Sequence, residues 1–211
     1  MTERYFGILL AGGRASRMGG GDKTLREIGG ATILARVIAT MARQCAGLVL
    51  NANGDPARFA AYQLPVVADD VPGFQGPLAG ILAGLDWVAA NRPDLAFAVS
   101  APTDTPFLPS DLVERLAAAR LGAGAEIACA RSASGAHPVV ALWPVAIREA
   151  LRHALVDEEL RKVGRFTQRF RVAYADWSEM AVDPFVNVNE PGDLAVAETI
   201  AAEEKYSSPD K

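Results

Sequence analysis

The sequence predicts a three-layer α/β domain with a mostly parallel sheet. Short apolar segments alternate with helical patterns over the first hundred residues, the order that parallel strands with right-handed crossovers produce. The run Leu95–Ser100 is apolar almost throughout, as a central strand covered on both faces should be. The first run, Phe6–Leu10, ends in a glycine-rich loop. In such sheets ligands bind beyond the carboxyl ends of the strands, so this loop is expected at a ligand-binding edge.

Composition limits the class of protein. The chain has 211 residues, 50% hydrophobic and 22% charged, which fits one domain with a substantial core. Its formal charge of −4 excludes a broadly basic surface for nucleic acid. Cys45 and Cys129 have no metal-type spacing and are typical of buried thiols in a reducing compartment. With no signal peptide or membrane span, we expect a cytoplasmic protein, residues 1–202 forming the domain and 203–211 a frayed tail.

The loop of residues 12–23 contains five glycines, two arginines and one lysine. Glycines let backbone N–H groups point inward as an anion-binding nest, and Arg14, Arg17 and Lys23 supply positive charge. A loop selected only for flexibility would favour Ser, Asn and Asp instead. The spacing matches neither the Walker loop, because Asp22 precedes Lys23, nor the dinucleotide fingerprint. The loop therefore predicts a phosphate site of another kind.

The segment after this loop continues the alternation. Residues 31–42 place apolar side chains at helical spacing, with Thr32 as a candidate cap. Residues 47–50 predict a strand that delivers Asn51 to the ligand edge. A turn-forming role for Asn51 fits the local sequence equally well.

A third strand, residues 65–68, is closed by Asp69 and Asp70. The stretch Gly76–Gly80 then opens a helix to about residue 90, with Pro77 and Leu78 in its first turn. A helix that starts after a glycine-rich loop offers free N–H groups to an anion. An ordinary helix start explains the same residues as well.

Asp104 follows the strand that ends at Ser100 and lies between Pro102 and Pro106. The prolines restrict the backbone and hold the carboxylate in one place. Mg²⁺ needs such a carboxylate facing substrate phosphates. The alternative is a cap for the helix predicted over 111–120, for which Ser110 is better placed.

The second half of the chain predicts strands over residues 126–130, 136–142 and 172–175, a polar connection over 131–135 and a helix over 146–155. His137 suggests a general base, but an attacking phosphate oxygen is already ionised and needs none. A structural role or a substrate contact is the better interpretation.

Two further segments carry candidate residues for a second anionic substrate. Residues 158–170 predict a basic helix that includes Arg161 and Lys162, although a solvated basic face is an equally good interpretation. Asn187 and Asn189 alternate with apolar residues in a predicted strand and would share one face of it.

Together these residues carry a family resemblance. The stretch Leu10–Lys23 resembles the signature loop of the nucleotidyltransferases, most closely that of the molybdenum cofactor guanylyltransferases. Sister enzymes that use CTP tend to carry Ala where Gly12 stands. Gly76–Gly80, the pair His137-Pro138 and the pattern from Asn187 to Pro191 resemble further motifs of the family. The resemblance extends from Ile8 to about residue 193.

The resemblance implies a Rossmann-like nucleotidyltransferase fold and transfer of GMP from GTP to molybdenum-molybdopterin, with Mg²⁺ as cofactor and release of pyrophosphate. It also implies the roles of individual residues. Arg17, Lys23 and Asp104 would be catalytic, with Asp104 holding the metal. Asp69 would accept hydrogen bonds from guanine N1–H and the 2-amino group, with the neighbouring Asp70 as the alternative. Nucleotide contacts are implied at Leu10, Ala11, Gly12, Gly13, Lys23, Asn51, Asp69, Gly76, Pro77, Leu78 and Asp104. Motif matches imply acceptor contacts at His137, Asn187 and Asn189, and the basic pattern adds Arg161 and Lys162 as candidates.

The implied partners are GTP, molybdopterin and, among proteins, molybdenum-insertion proteins, acceptor molybdoenzymes and their chaperones. Three alternatives stay open. A CTP-dependent cofactor cytidylyltransferase or a sugar-phosphate nucleotidyltransferase would use the same loop and metal aspartate. A GTP-binding module without turnover would use the loop alone, although it would have no need for cations that stabilise a leaving group.

Overall fold

The computed structural model describes residues 4–11, 23–71, 73, 76–188 and 191–207. The strands there are β1 (Phe6–Leu10), β2 (Glu27–Ile28), β3 (Ala31–Thr32), β4 (Leu48–Asn51), β5 (Val66–Val67), β6 (Phe97–Pro102), β7 (Ile127–Ser132), β8 (Gly135–Pro144) and β9 (Val172–Asp176). The α-helices are α1 (Ile33–Ala42), α2 (Pro77–Asn91), α3 (Leu112–Gly122), α4 (Arg148–Val156), α5 (Val163–Thr167) and α6 (Pro191–Ser207).

Seven of these strands form one sheet in the order β5-β4-β1-β6-β8-β7-β9. Strand β8 runs antiparallel to β6 and β7, and the other pairings are parallel. The carboxyl ends of six strands therefore meet at one edge of the sheet, together with the start of β8. The predicted mostly parallel sheet is confirmed.

Helices cover both faces of this sheet, which confirms the three-layer prediction. Side chains of α1 and α3 pack on one face with Leu9 and Leu50 of the sheet. Helices α2, α4 and α5 cover the other face, over Ile8 and Val49. Neighbouring residues of β1 and β4 thus point to opposite layers, as the pleat of a strand requires.

A third apolar cluster joins α6 to the β2–β3 hairpin. It contains Ile28 and Ile33 from the hairpin region, Ala197 and Ala201 from α6, and Phe107 from the loop after β6. The C-terminal helix therefore packs on the segment that follows the glycine-rich loop.

The first predicted helix begins two residues later than expected. Residues 31–32 form β3, and α1 begins at Ile33. Gly29 and Gly30 both have positive φ and close the hairpin of β2 and β3, as a two-residue turn demands. Thr32 caps α1 as predicted, since its Oγ1 accepts a hydrogen bond from the N–H of Ala35 at 3.1 Å.

Two helix predictions in the second half need correction. Asp111, not Ser110, is the N-cap residue of α3, and its side chain makes no capping hydrogen bond. The helix predicted over 158–170 is reduced to α5, five residues long. A bidentate pair between Arg169 and Glu158, at 2.8 and 2.5 Å, joins the two ends of that segment. Because this ion pair closes the segment into a loop, its basic residues do not lie along one helix.

Two further segments, residues 131–135 and 185–188, differ from their predicted structure. Residues 131–135 belong largely to a tight hairpin between β7 and β8, because both strands extend further than their apolar runs. The strand predicted over 185–189 is irregular at its described residues, 185–188. Asp183 Oδ1 accepts a hydrogen bond from the N–H of Phe185 at 2.9 Å, and this Asx turn replaces a strand ladder.

The cysteines are free thiols, Cys129 buried and Cys45 partly buried. Burial raises the pKa of each to about 12, so both stay protonated and poor as nucleophiles. Within the described ranges, no helix is long and apolar enough to cross a membrane.

Candidate functional site

The centre of the candidate site is the carboxyl edge of β1, β4 and β6. Leu10 lies beside Asn51 on one side and Pro102 on the other. The N–H of Ala11 donates to the carbonyl of Asn51 at 2.8 Å, and the N–H of Thr103 donates to that of Leu10 at 3.1 Å. The ends of three strands are thus fixed to one another, up to Ala11.

Asp69 is held at this edge by two amide side chains. Nδ2 of Asn51 donates to Asp69 Oδ1 at 2.9 Å, and Nδ2 of Asn53 donates to Oδ2 at 2.8 Å. The N–H of Asp69 in turn donates to Oδ1 of Asn53 at 2.9 Å. Asn51 is buried and also donates to the carbonyl of Val67. The orientation of the Asp69 carboxylate is therefore set by hydrogen bonds to both of its oxygens. From the sequence alone, Asn53 was not identified as a candidate site residue.

Asp70 points to a different part of the molecule. Its Oδ2 accepts a hydrogen bond from Arg152 of α4 at 3.0 Å, and Arg152 also binds Asp86 of α2 at 2.5 Å. This ion-pair cluster links the two helices on one face of the sheet. The two adjacent aspartates therefore have different partners: Asp69 is hydrogen-bonded to the asparagines at the end of β4, and Asp70 is paired with Arg152.

Helix α2 approaches the same edge through glycines. A Cβ built on Gly80 would lie 2.2 Å from Oδ1 of Asn51, and one on Gly84 would lie 2.3 Å from Cγ2 of Ile8. The helix begins at Pro77, and its first turn has no side-chain cap. Leu78 is buried, whereas Gly76 and Pro77 are exposed. The helix start can therefore offer backbone N–H groups to a ligand.

Asp104 lies in the loop just beyond β6 and is partly buried. Hydrogen bonds fix the backbone on both sides of it. Thr103 is bonded to Leu10, and the hydroxyl of Thr105 donates to the carbonyl of Pro102 at 2.8 Å. The carbonyl of Asp104 itself accepts from the N–H of Val188 at 2.9 Å. The predicted rigidity of this loop thus has a structural basis beyond its prolines.

His137 belongs to a polar cluster at the same edge of the sheet. Its Nε2 lies 2.7 Å from Oγ of Ser132 and 3.3 Å from Oγ of Ser134. Both serine hydroxyls donate to Oδ2 of Asp183, at 2.7 and 2.6 Å. Burial lowers the pKa of His137, and the nearby Asp183 only partly offsets this effect. His137 is therefore neutral near pH 7.

Other predicted site residues are placed less completely. Lys23 begins a 3-10 helix, but its side chain lies outside the described part of the structure, as do Gly12, Gly13, Arg17 and Asn189. Asn187 is exposed, one residue before the Val188 contact to Asp104. Arg161 and Lys162 are exposed in the connection before α5 rather than on a helix.

The described residues at this edge include one candidate carboxylate for a cation, that of Asp104. Among residues whose side chains are described, no group of three or more His, Cys, Asp or Glu could hold a metal ion. That excludes a closed all-protein cage in this part of the chain. Mg²⁺ uses one or two carboxylates and completes its coordination shell with phosphate oxygens and water. A single carboxylate such as that of Asp104 is therefore sufficient on the protein side.

Comparisons with known proteins identify relatives of this chain and of its fold. Residues 7–172 match the model of the MobA-like NTP transferase domain. A molybdenum cofactor guanylyltransferase of Bradyrhizobium sp. strain ORS 278 is 61% identical over 203 residues, 96% of each chain. One from Rhodopseudomonas palustris strain BisB5 is 60% identical over 194 residues, 92% of each chain. The crystal structure of molybdopterin-guanine dinucleotide biosynthesis protein A from Archaeoglobus fulgidus superposes with a TM-score of 0.73 at 22% identity, over 94% of this chain and 99% of that one.

Proposed function

The chain belongs to the molybdenum cofactor guanylyltransferases of the MobA-like NTP transferase family, and we propose that it performs their reaction at the edge formed by β1, β4 and β6. In this reaction GMP is transferred from GTP to the terminal phosphate of molybdenum-molybdopterin, and pyrophosphate is released. The observation that carries the residue assignment is the Asp69 carboxylate, oriented by Asn51 and Asn53.

The free hydrogen-bond acceptor positions of Asp69 match the donors of guanine. Each carboxylate oxygen can accept about two hydrogen bonds, and each already accepts one from an asparagine amide. About one acceptor position per oxygen is left on a carboxylate whose orientation is fixed by both amides. Guanine has two adjacent donors, N1–H and the 2-amino group, whereas adenine and cytosine have an acceptor next to a donor. Asp69 therefore selects guanine.

Asp104 would hold Mg²⁺ at the carboxyl end of β6. It is a hard oxygen ligand on a backbone fixed by Thr103 and Val188, and such ligands suit Mg²⁺. When bound, the ion would neutralise charge on the reacting phosphate oxygens. The chain's own contribution is to fix the backbone of the Asp104 loop to the end of β1, through the hydrogen bonds of Thr103 to Leu10.

Lys23 and Arg17 would complete the site on the leaving-group side. In-line attack by the acceptor phosphate on the α-phosphorus moves negative charge to the departing pyrophosphate. Cations and loop N–H groups aimed at that charge stabilise the transition state more than the ground state. No general base is required, because the acceptor oxygen is already ionised.

The acceptor would lie on the side of β7 and β8. His137 and Asn187 are at that side of the edge, connected to Asp104 through the segment that ends at Val188. Arg161, Lys162 and Asn189 stay candidates for its phosphate. Delivery of the product to molybdoenzymes or their chaperones, and a cytoplasmic location where GTP is available, complete the proposal.

One assay tests the reaction. Purified protein is mixed with labelled GTP, ATP or CTP, molybdenum-molybdopterin and Mg²⁺, and pyrophosphate is measured together with the dinucleotide product. We expect product from GTP only, and none when Mg²⁺ is chelated. Turnover with CTP would favour the cytidylyltransferase alternative, and GTP binding without pyrophosphate would favour a binding module.

A further inference from the structure

The cluster of Ser132, Ser134, His137 and Asp183 brings together residues far apart in the chain. Ser132 ends β7 and is buried, while Ser134 is in the exposed turn before β8. Asp183 follows β9 and starts the Asx turn to Phe185. The ring of His137 lies against that of Phe185, with centroids 4.8 Å apart. Two strand ends and the segment leading to Val188 are therefore joined through these four polar side chains.

The hydrogen bonds of this cluster determine where its protons lie. Burial acts to raise the pKa of Asp183, but hydrogen bonds from Ser134, the N–H of Phe185 and Ser132, together with His137, outweigh it and the pKa is lowered. The ionised carboxylate can only accept, so each serine uses its single hydroxyl proton toward Oδ2 of Asp183. Ser132 Oγ must then accept from His137, and Nε2 of His137 carries the proton.

We propose that Asp183 is a positioning residue that keeps His137 in the Nε2–H tautomer, so that Nδ1 presents a lone pair to an N–H donor of the acceptor substrate. The tautomer follows from the cluster itself, whereas the role toward the substrate rests on the proposed function. An imidazole held in this way cannot donate to a phosphate from Nδ1. It therefore suits the ring N–H groups of a pterin and not the terminal phosphate.

Asp183→Asn tests the tautomer directly. The N–H of Phe185 keeps the amide oxygen in the Oδ1 position, so the NH₂ group replaces Oδ2 and donates to both serines. Ser132 is then free to donate to Nε2, and His137 changes to the Nδ1–H tautomer. The chain has two histidines, and ¹⁵N-labelled imidazole spectra distinguish the tautomers, with His153→Gln assigning the signals. An Nδ1–H signal for His137 in the wild type, or no change in Asp183→Asn, would overturn the proposal.

Asp176→Asn is the matched control. Asp176 also accepts a hydrogen bond from the backbone N–H two residues ahead, at 2.8 Å from Ser178, but its side chain contacts neither His137 nor the two serines. We expect this variant to keep the wild-type tautomer. If Asp183→Asn does not fold, the wild-type spectrum and the double variant Ser132→Ala/Ser134→Ala decide the question, because removing both hydroxyl acceptors near Nε2, at 2.7 and 3.3 Å, should remove the preference for the Nε2–H tautomer.

Kinetics test the role toward the substrate. Asp183→Asn should raise KM for molybdopterin about tenfold, the loss of one hydrogen bond, while KM for GTP and kcat change less than about twofold. Asp176→Asn should leave all three unchanged. A switched tautomer with unchanged acceptor KM would overturn the substrate contact. If Asp183→Asn switches the tautomer but the wild type transfers no GMP, the proposed function is overturned and the role of Asp183 in setting the tautomer stands.

Discussion

Gly80 of α2 faces the amide of Asn51 so closely that a Cβ at this position would lie 2.2 Å from Oδ1. The glycine thus allows the helix to approach a strand-end side chain whose other amide atom donates to Asp69. Helix packing at this contact therefore affects the orientation of the carboxylate that we propose binds the base. The glycine motif of the sequence has its physical reason here, in addition to the free N–H groups of the helix start.

Gly80→Ala should therefore impair guanine selection. Because the added methyl displaces Asn51, the Asp69 carboxylate loses one of its two amide donors, and the preference for GTP over ATP should fall by about tenfold. Gly84→Ala is the control, since its methyl would meet Ile8 instead. Both variants should melt lower, by overpacking of about 1–3 kcal/mol, but only Gly80→Ala should change the affinity ratio in calorimetry. Equal ratios in the two variants would refute the link.

Asp69→Ala should reduce guanine selectivity, and Asp70→Ala should not. The wild type is expected to bind GTP at least roughly tenfold tighter than ATP or CTP, about 1.4 kcal/mol. Asp70 pairs with Arg152 in a half-exposed ion pair, so its removal should cost about 0–1 kcal/mol of stability. Calorimetric titration of the three nucleotides checks both variants. Loss of selectivity in Asp70→Ala alone would transfer the base-reading role to Asp70.

Asp104→Asn should abolish turnover and leave GTP binding measurable. The amide has nearly the same shape but lacks the charge that Mg²⁺ requires. Asp111→Asn is the control, because Asp111 is in the same loop region and accepts a hydrogen bond from Trp177 at 3.1 Å. Pyrophosphate release is measured over a Mg²⁺ series. If Asp104→Asn kept more than about a tenth of the wild-type rate at saturating Mg²⁺, the metal role would be wrong.

Lys23→Ala should act mainly on the chemical step. Its ammonium would face charge that grows on the leaving pyrophosphate, and removing one such donor costs about 10²–10³ in rate. We therefore expect a fall in kcat larger than the change in KM, with Arg17→Ala showing the same direction. A Lys23 that only paired with a surface carboxylate would predict normal kinetics and a slightly lowered melting point. Steady-state kinetics combined with a thermal melt distinguishes the two roles.

His137 should make stability depend on pH below neutrality. Its pKa is lowered in the folded state, so the unfolded chain binds the proton more readily. The stabilisation is present above the unfolded pKa of about 6.5 and is lost as pH falls from there toward the folded pKa. Urea unfolding at pH 7.5 and 5.5 should show a smaller loss for His137→Gln than for the wild type. An equal loss in His137→Gln and the wild type would contradict this role of His137.

Much of the fold could be predicted, because periodicity and strand order follow local rules. Leu95–Ser100 and Phe6–Leu10 were recognisable as central strands from their apolar runs, and the membership expected from Leu10–Lys23 is confirmed by the family match. The β2–β3 hairpin was missed, although Gly29-Gly30 is a turn signal. The prediction of a helix over 158–170 was wrong, because the spacing of charged residues cannot reveal a loop that is closed by an ion pair.

The site was predictable only where one segment contains its own evidence. Asp104 between two prolines is such a candidate and stays a prediction, and Asn53 could have been added to the candidates, since it lies two residues from Asn51. Asp183 could not be found this way, because its partners Ser132 and Ser134 are about fifty residues away in sequence. Contacts of that kind depend on strand order, which no local pattern records.

The hydrogen bond from Val188 to Asp104 has a consequence for biosynthesis. Val188 is added to the growing chain 84 residues after Asp104, a delay of roughly 4–17 s at ~5–20 residues per second. During that interval the chain contains Asp104 but not yet the residue whose N–H donates to its carbonyl. The loop around Asp104 therefore gains this backbone hydrogen bond only after the segment that contains Val188 has been synthesised.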